Sequence, residues 1–364
     1  MIYLDYQATA PLAPEARAAM LPWLEGPSNP HAAHKPGRVA AAEIAIARDR
    51  VSALVPEGGQ IYFTSGATEA LNWAIASAAG VGTRIVTVAS EHAAVLDTVA
   101  RMSDRFEVVV LPIHPDGLVD LAAAKAAIQP GTGLVCGMLV NNEIGVIQPI
   151  AELAALASTV GARFLCDAVQ GVGRIPIPEG CDYIALSAHK IHGPIGIGAL
   201  WARSGAPLTA ILHGGGQEGG VRSGTLSPAL CAGFGAAAKL MVEQADADAA
   251  HVSALAAQLR VALGETWAVN GSVSARYLGN LNVRREGVDV ARLMSDVREV
   301  AFSAGSACAS GSGRPSHVLR ALGLSDAQAK SSVRLGFGRY TTAAEIDQAA
   351  EWLNAAAANQ GLFA

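Results

Sequence analysis

The apolar runs in the middle of the chain restrict its fold more than any other feature of the sequence. They are GLVCGMLV (133–140), RFLCDAV (163–169) and DYIALS (182–187), and each is apolar on both faces. A strand with two apolar faces has to be covered on both sides, as happens in a parallel sheet packed between helices. These runs therefore predict the central strands of an α/β sheet.

Strand-like and helical segments alternate around these runs. Strands are predicted at 60–64, 84–89 and 106–112, and helices at 69–79, 91–103, 119–128 and 150–161. Such alternation predicts a mainly parallel sheet sandwiched by helices. Ligands of open α/β sheets bind beyond the carboxyl ends of the strands, so polar residues that follow the strands are the candidates for a site.

The pattern changes near residue 240. A long Ala-rich helix is predicted over about residues 229–264, and shorter strands follow in YLGNLNVR, EVAFS and SSVRLGFG. The last helix is predicted to begin with a capping box formed by Thr342 and Glu345. This part of the chain is typical of a smaller α+β domain.

The bulk composition sets the domain count and excludes some classes of partner. The chain has 364 residues, 51% of them hydrophobic, and its length suggests two domains or one large α/β domain with a smaller partner. We expect a large domain over 16–245 and a small one made of 1–15 with 246–364. The net charge of −5 gives no general affinity for nucleic acid or for an anionic membrane. The start, MIYLDYQATAP, lacks the features of a signal peptide and the apolar runs are too short to span a bilayer, so we expect a cytoplasmic protein.

A glycine turn in FTSGATEALN joins a predicted strand to a predicted helix. Its backbone N–H groups, together with the hydroxyls of Ser65 and Thr68, would form a cup for a phosphate group at the start of the helix. Helix-capping residues in an ordinary strand-to-helix turn would give the same pattern. The turn alone therefore leaves both interpretations open.

Two ionisable residues follow buried strands. Asp167 ends the strand FLCD, just before Gln170, and a carboxylate there needs a partner, which a protonated ring nitrogen, a helix cap or an ion pair would each supply. Lys190 follows the next strand, close to Ser187 and His189. In a desolvated pocket the pKa of such a lysine falls and its amine can form a Schiff base, whereas a solvated loop lysine has no such role.

Further polar residues follow the neighbouring strands. His92 lies in SEHAAV, Asn142 in VNNEIG, and Thr225 follows a glycine-rich run in GGGQEGGVRSGTLS. A phosphate cup, a buried carboxylate, a Schiff-base lysine and a histidine at corresponding strand ends are what pyridoxal phosphate needs for its phosphate, ring nitrogen, aldehyde and ring. The sequence therefore predicts a pyridoxal-phosphate site.

Cys308 differs in its setting from the other cysteines. These lie among apolar residues, as buried thiols do, and are Cys136, Cys166, Cys181 and Cys231. Cys308 lies instead in FSAGSACASGSGRPS, among glycine, serine and alanine. The odd number of cysteines argues against a disulfide framework, and no Cys/His spacing predicts a metal site.

The whole chain resembles the cysteine desulfurases of the NifS/IscS type, in the class V aminotransferase group of fold-type I pyridoxal-phosphate enzymes. The resemblance rests on the order and spacing of YLDYQATAP, FTSGATEALN, SEHAAVLD, VNNEIGVIQPI, DAVQGVG, SAHKIHGPIGIGALW, RSGTLS, GSACAS and SSVRLGFGRYTTAAEID. It implies a large domain with a mainly parallel sheet, a smaller α+β domain, and conversion of L-cysteine to L-alanine with transfer of the sulfur.

The resemblance also implies a role for each matching residue. Lys190 would hold the cofactor and move protons at the substrate α-carbon, and His92 would stack on the ring and act in acid–base steps. The other cofactor contacts would be Asp167 to the ring nitrogen, Gln170 to the ring hydroxyl, and Ala67, Thr68, Ser187 and His189 to the phosphate. Arg334 and Asn142 would bind the substrate carboxylate. Thr225 would reach the phosphate of the neighbouring subunit, which implies a homodimer, and Cys308 would carry the sulfur as a persulfide to an acceptor or scaffold protein.

Other functions are consistent with parts of this pattern. A selenocysteine lyase or another class V aminotransferase would share the cofactor site, although an aminotransferase would not need Cys308. A non-catalytic scaffold would bind no cofactor, and a dinucleotide-binding oxidoreductase would carry G-x-G-x-x-G after its first strand, which this chain lacks. Departures from the family pattern at Ile195 and Leu139 leave open whether the sulfur goes to iron–sulfur assembly, tRNA thiolation or a molybdenum-type cofactor.

Overall fold

A seven-stranded sheet lies at the centre of the computed structural model, which describes residues 1–78, 80–305 and 316–361. The strands are β1 (Ile2–Tyr3), β2 (Gly59–Thr64), β3 (Arg84–Val88), β4 (Glu107–Leu111), β5 (Thr132–Met138), β6 (Arg163–Asp167), β7 (Tyr183–Ser187), β8 (Gly198–Arg203), β9 (Ala268–Val269), β10 (Asn280–Arg284), β11 (Val300–Ala301), β12 (Ser303–Ala304) and β13 (Ser332–Gly336). The α-helices are α1 (Pro14–Met20), α2 (Lys35–Ser52), α3 (Ala67–Ala78), α4 (Ala93–Ala100), α5 (Leu121–Ala127), α6 (Ile150–Thr159), α7 (Pro228–Glu243), α8 (Ala245–Leu263), α9 (Val290–Asp296), α10 (His317–Ala321), α11 (Asp326–Lys330) and α12 (Ala343–Gly361).

The large sheet has the order β2-β8-β7-β6-β5-β3-β4. Strand β8 pairs antiparallel with both of its neighbours, and the remaining pairs are parallel. The three apolar runs of the sequence form β5, β6 and β7, which are buried along nearly their whole length. The predicted α/β class with a mainly parallel sheet is confirmed, and the carboxyl ends of β2, β3, β5, β6 and β7 lie at one edge.

The predicted single helix over about 229–264 is wrong, because two helices, α7 and α8, meet at Gln244. The backbone of Gln244, with φ −112° and ψ 8°, ends the first helix and begins the second. The helices pack into different cores: α7 packs through Phe234 against the large sheet, whereas α8 packs through Leu255 and Leu259 among residues from the second half of the chain. A straight helix would leave one of these apolar faces in water.

The second core lies on two smaller sheets. One pairs β1 with β11 in parallel, and the other has the order β12-β13-β10-β9. Ile2 and Leu4 pack into this core, so the start of the chain lies with its C-terminal part. The domain division near residue 245 stays a prediction.

The last helix begins as the sequence predicts. The backbone N–H of Glu345 donates to Oγ1 of Thr342 at 3.2 Å, and the N–H of Thr342 donates to Oε2 of Glu345 at 2.8 Å. This reciprocal pair satisfies N–H groups that lack partners within the helix, which confirms the capping box. None of the helices in the described part of the chain combines the length and the apolar character needed to cross a bilayer.

Candidate active site

A pocket of about 400 Å³ lies at the carboxyl ends of the parallel strands. Most of the predicted site residues line it, namely Ala67, Thr68, His92, Asn142, Asp167, Gln170, Ser187, His189, Lys190 and Arg334. Thr225 is not among the described residues that line it, and Cys308 lies outside the described residues. The candidate residues follow different strands, and they come together because the carboxyl ends of those strands lie at one edge of the sheet.

Lys190 is held by the start of the chain. It ends the short 3₁₀ turn Ala188–Lys190 that follows β7, and its Nζ donates to the backbone oxygens of Gln7 at 2.5 Å and Ala8 at 2.7 Å. These two residues form a wall of the pocket. The sequence analysis gave them no role, although they belong to the motif YLDYQATAP.

Asp167 ends β6 as a fully buried carboxyl group. Its Oδ1 accepts the backbone N–H of Val169 at 3.0 Å. Burial raises the pKa of Asp167 above its ordinary value, whereas the nearby His92, the N–H of Val169 and Lys190 act to lower it. The ionised form therefore depends on cationic and donor groups around it, which a protonated ring nitrogen would reinforce.

His92 is the N-cap residue of α4. Its Nδ1 accepts the backbone N–H of Ala94 at 3.0 Å, so in the neutral ring the proton lies on Nε2. Burial lowers the pKa of His92, and the nearby Asp167 opposes that shift. The helix terminus thus fixes the orientation of the ring.

Glu91, which precedes His92, is a buried residue that the sequence analysis missed. Its Oε1 accepts the N–H of Met138 at 2.6 Å, and its Oε2 is buried without a hydrogen-bond partner. Burial, with Asp167 nearby, raises the pKa of Glu91 well above its ordinary value. Burial and the nearby Asp167 thus disfavour the charged form of Glu91.

Another group of lining residues could hold an anion. The turn between β2 and α3 presents Ser65, Gly66 and the first residues of the helix to the pocket. His189 lies beside it, with Nδ1 3.2 Å from Oγ1 of Thr9, and burial together with Lys190 lowers the pKa of His189 to about 4. A neutral histidine and a helix N-terminus supply donors, while Lys190 supplies positive charge.

The glycine-rich segment 214–227 is fixed beside this turn by two ion pairs. Glu218 pairs with Arg48 at 2.6 Å and accepts the N–H of Phe63 on the edge strand β2 at 2.9 Å. Arg222 pairs with Glu69 at 2.7 Å, and the same carboxylate accepts the N–H of Ser65 at 2.6 Å. The segment that carries Thr225 is therefore linked to the anion-binding turn.

Arg334 on β13 brings the smaller sheet to the pocket. It is 1% exposed, its Nη2 lies 2.7 Å from Oδ1 of Asp5, and its Nη1 donates to the backbone oxygen of Asn142 at 3.1 Å. Its Nε is buried and has no hydrogen-bond partner among the described residues. A buried donor of this kind is costly unless it meets an acceptor, and a carboxylate in the pocket would supply one.

These features together fit one flat, phosphorylated heterocycle, as in pyridoxal phosphate. The turn between β2 and α3 suits its phosphate, Asp167 suits a protonated ring nitrogen, and Lys190 lines the same pocket. Arg334 in the same lining could bind a separate carboxylate. Helix caps and ion pairs with a purely structural role would not require an anion site and a carboxylate site in one pocket.

Comparisons with known proteins agree with this geometry. The family model described as aminotransferase class-V matches residues 2–349. Among curated relatives, the mitochondrial cysteine desulfurase of Arthroderma benhamiae is 43% identical over 95% of this chain and 72% of its own length. The cysteine desulfurase IscS of Anaeromyxobacter dehalogenans is 43% identical over 96% of this chain and 90% of its own length.

Solved structures give the same result. A protein titled NifS-like protein superposes with a TM-score of 0.90 at 29% identity, covering 97% of this chain and 98% of that one. A structure titled SspA in complex with cysteine superposes with a TM-score of 0.83 at 32% identity, covering 94% of this chain and 100% of that one. The similarity in both cases extends over nearly the whole fold.

Proposed function

The chain belongs to the cysteine desulfurases of the class V aminotransferase family, and on this basis we propose that Lys190, Asp167, Arg334 and Cys308 carry its reaction. The protein is a pyridoxal-phosphate-dependent enzyme that acts on L-cysteine. The observation that supports the residue assignment best is the shared pocket, in which Lys190 lies with a buried carboxyl group, an anion-binding turn and the unpaired Nε of Arg334.

The large domain would hold the cofactor. Ala67, Thr68, Ser187 and His189 would bind its phosphate, Asp167 its ring nitrogen and Gln170 its ring hydroxyl, while His92 would stack on the ring. When bound, pyridoxal phosphate supplies an electron-withdrawing ring that stabilises negative charge at the substrate α-carbon. Lys190 would hold the aldehyde end and then move a proton at that carbon.

Arg334 would bind the substrate carboxylate, with help from Asn142. Its guanidinium is already hydrogen-bonded on two sides, by Asp5 and by the backbone oxygen of Asn142, which fixes the plane in which a carboxylate can bind. The substrate α-carbon would then lie between Arg334 and Lys190. Orientation of this kind lowers the barrier because it supplies the geometry before the reaction begins.

Substitution of Asp5 tests whether that residue orients Arg334. We expect Asp5→Ala to raise the KM for L-cysteine by about tenfold with a smaller change in kcat, because the guanidinium loses a charged hydrogen-bond partner. Asp5→Asn keeps an acceptor and should give an intermediate KM. Steady-state kinetics of alanine release measure both values.

The control for this experiment is another arginine–aspartate pair. Asp326 pairs with Arg320 at 3.0 Å, and both side chains are more than half exposed, so Asp326→Ala should leave KM unchanged. A wild-type KM in Asp5→Ala would show that Asp5 does not position Arg334.

Cys308 would take the sulfur from the substrate. Its thiolate would attack the substrate sulfur, so that a sulfur–sulfur bond forms while the carbon–sulfur bond breaks. The electron pair of the broken bond then takes up a proton at the substrate β-carbon. L-Alanine would leave and Cys308 would keep the sulfur as a persulfide. Its position in a run of glycine and serine suits a group that must visit both the pocket and an acceptor protein.

The proposal extends to the assembly and the compartment. The protein would be a homodimer in which Thr225 of each subunit contacts the phosphate in the other. It would pass its sulfur to an acceptor or scaffold protein, for iron–sulfur cluster assembly or for thiolation of a tRNA or cofactor. The cytoplasm is the expected compartment, since a persulfide carrier needs reducing surroundings and the cysteines in the described part of the chain are free thiols.

Incubation of the purified holoenzyme with L-cysteine tests this function. We expect L-alanine to form, and mass spectrometry of the peptide that contains Cys308 to show the added mass of one sulfur atom. L-Selenocysteine, assayed in parallel, tests the selenocysteine lyase alternative, which predicts turnover of selenocysteine without turnover of cysteine. Absence of alanine from L-cysteine in the holoenzyme under reducing conditions would rule out the proposal.

A further inference from the structure

A second cavity, of about 220 Å³, is lined by Arg174, whose guanidinium donates to the backbone oxygen of Lys190. It is enclosed by residues 173–175, the first two turns of α8, residues 276–278 and residues 338–339. We call it the arginine pocket, after Arg174, Arg276 and Arg339 in its lining. Nothing in the proposed reaction uses it.

Arg276 is a buried cation without a carboxylate partner. It is 8% exposed, and its Nε, Nη1 and Nη2 donate to the backbone oxygens of Ser272 at 2.9 Å, Asn280 at 3.0 Å and Asn270 at 2.5 Å. None of the salt bridges among the described residues includes it. Burial and the nearby Arg260 lower the pKa of Arg276 to about 10, so it stays charged at neutral pH. A buried charge without a counterion is unfavourable.

The other two arginines of the lining add positive charge and do not neutralise that of Arg276. Arg174 donates to the backbone oxygens of Gln170 and Lys190 and lies 5.4 Å from the centroid of the Tyr277 ring, and it too is absent from the ion pairs of the described chain. Arg339 pairs with Asp248, yet its Nη1 is buried without a hydrogen-bond partner. The lining therefore carries three guanidinium groups and one carboxylate.

His192 in the same lining adds no charge. Its Nδ1 donates to the backbone oxygen of Pro11 at 2.9 Å, and its ring packs edge-on against Tyr6. Burial, followed by Arg174, lowers the pKa of His192 to about 4, so the ring is neutral at physiological pH.

Much of the remaining lining is apolar. Ile175, Met241, Val252 and Leu278 contribute side chains, and the rings of Tyr6 and Tyr277 close the ends. The volume lies below the usual range for drug-sized ligands, which is about 300–1,000 Å³. Both features suit a compact molecule that has one anionic group and a small apolar body.

We propose that the arginine pocket binds a small organic anion, a phosphate or carboxylate carried on an apolar or aromatic body. The anionic group would lie among the guanidinium groups and the body against the apolar walls, where Tyr277 already stacks on a guanidinium. This site is separate from the cofactor pocket and from Arg334. Because Arg174 bonds the backbone oxygen of Lys190, an occupant would lie one side chain away from the catalytic lysine.

Isothermal titration of the holoenzyme with phenyl phosphate tests the proposal. We expect saturable binding of one equivalent, weaker binding of inorganic phosphate, and no binding of benzyl alcohol, which has the ring without the charge. Binding should persist when L-alanine saturates the substrate site, because the two sites are distinct. Added salt should weaken it, since part of the affinity is electrostatic.

Three variants separate the effect of charge on the binding of phenyl phosphate from the effect of the cavity's shape. Arg174→Gln should weaken the binding of phenyl phosphate by about tenfold or more, because a charge-assisted hydrogen bond is lost. Asp248→Asn should tighten binding, since it removes the only carboxylate of the lining. Ala249→Phe, on the exposed face of α8 where it borders the cavity, should abolish binding by filling the space without changing any charge.

The outcomes decide between this site and the alternatives. Binding that L-alanine displaces would assign the ligand to the active site and overturn the proposal. Binding that Ala249→Phe and Asp248→Asn leave unchanged would overturn it as well, and so would no binding of phenyl phosphate at millimolar concentrations. None of these results bears on cysteine turnover, so the proposed function stands or falls separately.

Discussion

Substitution of Lys190 by alanine is expected to reduce alanine release from L-cysteine by roughly 10³-fold or more, within the range that loss of a positioned acid–base group costs. The variant loses the reactive amine. It also loses a group whose position is fixed, because the Nζ of Lys190 is held at 2.5 Å and 2.7 Å from two backbone oxygens of the N-terminal segment. No other lysine lines the pocket. The visible absorbance of the bound cofactor should change in the same variant.

Two controls sharpen this experiment. Lys190→Arg keeps the charge but not the amine chemistry, and it should be as inactive as the alanine variant. Lys330→Ala removes an exposed lysine from the end of α11 and should behave as wild type. Cysteine turnover at the wild-type rate in Lys190→Ala would exclude Lys190 from the reaction.

The central strands could be predicted from the sequence because their apolar composition is compatible with only one environment. An apolar run such as that of β6 cannot expose either face, so it has to lie inside a sheet with helices on both sides. Once such strands are assumed to run in parallel, the residues that follow them are expected to lie close together at one edge of the sheet. Asp167 and Lys190 reach one pocket for this reason.

Contacts that join distant parts of the chain could not be predicted in the same way. The bonds from Lys190 to Gln7 and Ala8, and from Arg334 to Asp5, connect residues that no local pattern relates. Each depends on how the N-terminal segment lies between the large sheet and β13, which only the complete fold determines. The motif YLDYQATAP therefore does not by itself indicate that Asp5 contacts Arg334.

The break between α7 and α8 was missed for a different reason. The sequence around Gln244 contains no glycine or proline, and its alanines favour a continuous helix. The acidic residues at the start of α8, Asp246 and Asp248, were the available signal, since carboxylates favour the first turn of a helix. Tertiary packing against two separate cores overrode the local propensity.

Substitution of Cys308 by alanine is expected to leave cofactor binding intact and to reduce alanine release from L-cysteine by roughly 10²-fold or more, at the lower end of what loss of a positioned catalytic group costs. The sulfur of the substrate would then have no thiolate to receive it. Alanine release measures the loss of sulfur from the substrate, and the mass of the peptide that contains position 308 measures the transfer of sulfur to the enzyme. An aminotransferase that uses the same pocket would not respond to this substitution.

A buried cysteine provides the matched control. Cys231 lies inside α7 and is 0% exposed, and burial raises its pKa to about 12, so it stays a protonated and inaccessible thiol. Cys231→Ala should therefore retain turnover and still gain one sulfur atom at Cys308. If Cys308→Ala instead released alanine at the wild-type rate, the sulfur would have to leave without an enzyme persulfide. Because alanine keeps the electron pair of the broken carbon–sulfur bond, the sulfur would then leave at the zero-valent level, as elemental sulfur or by direct transfer to a thiol in the solution.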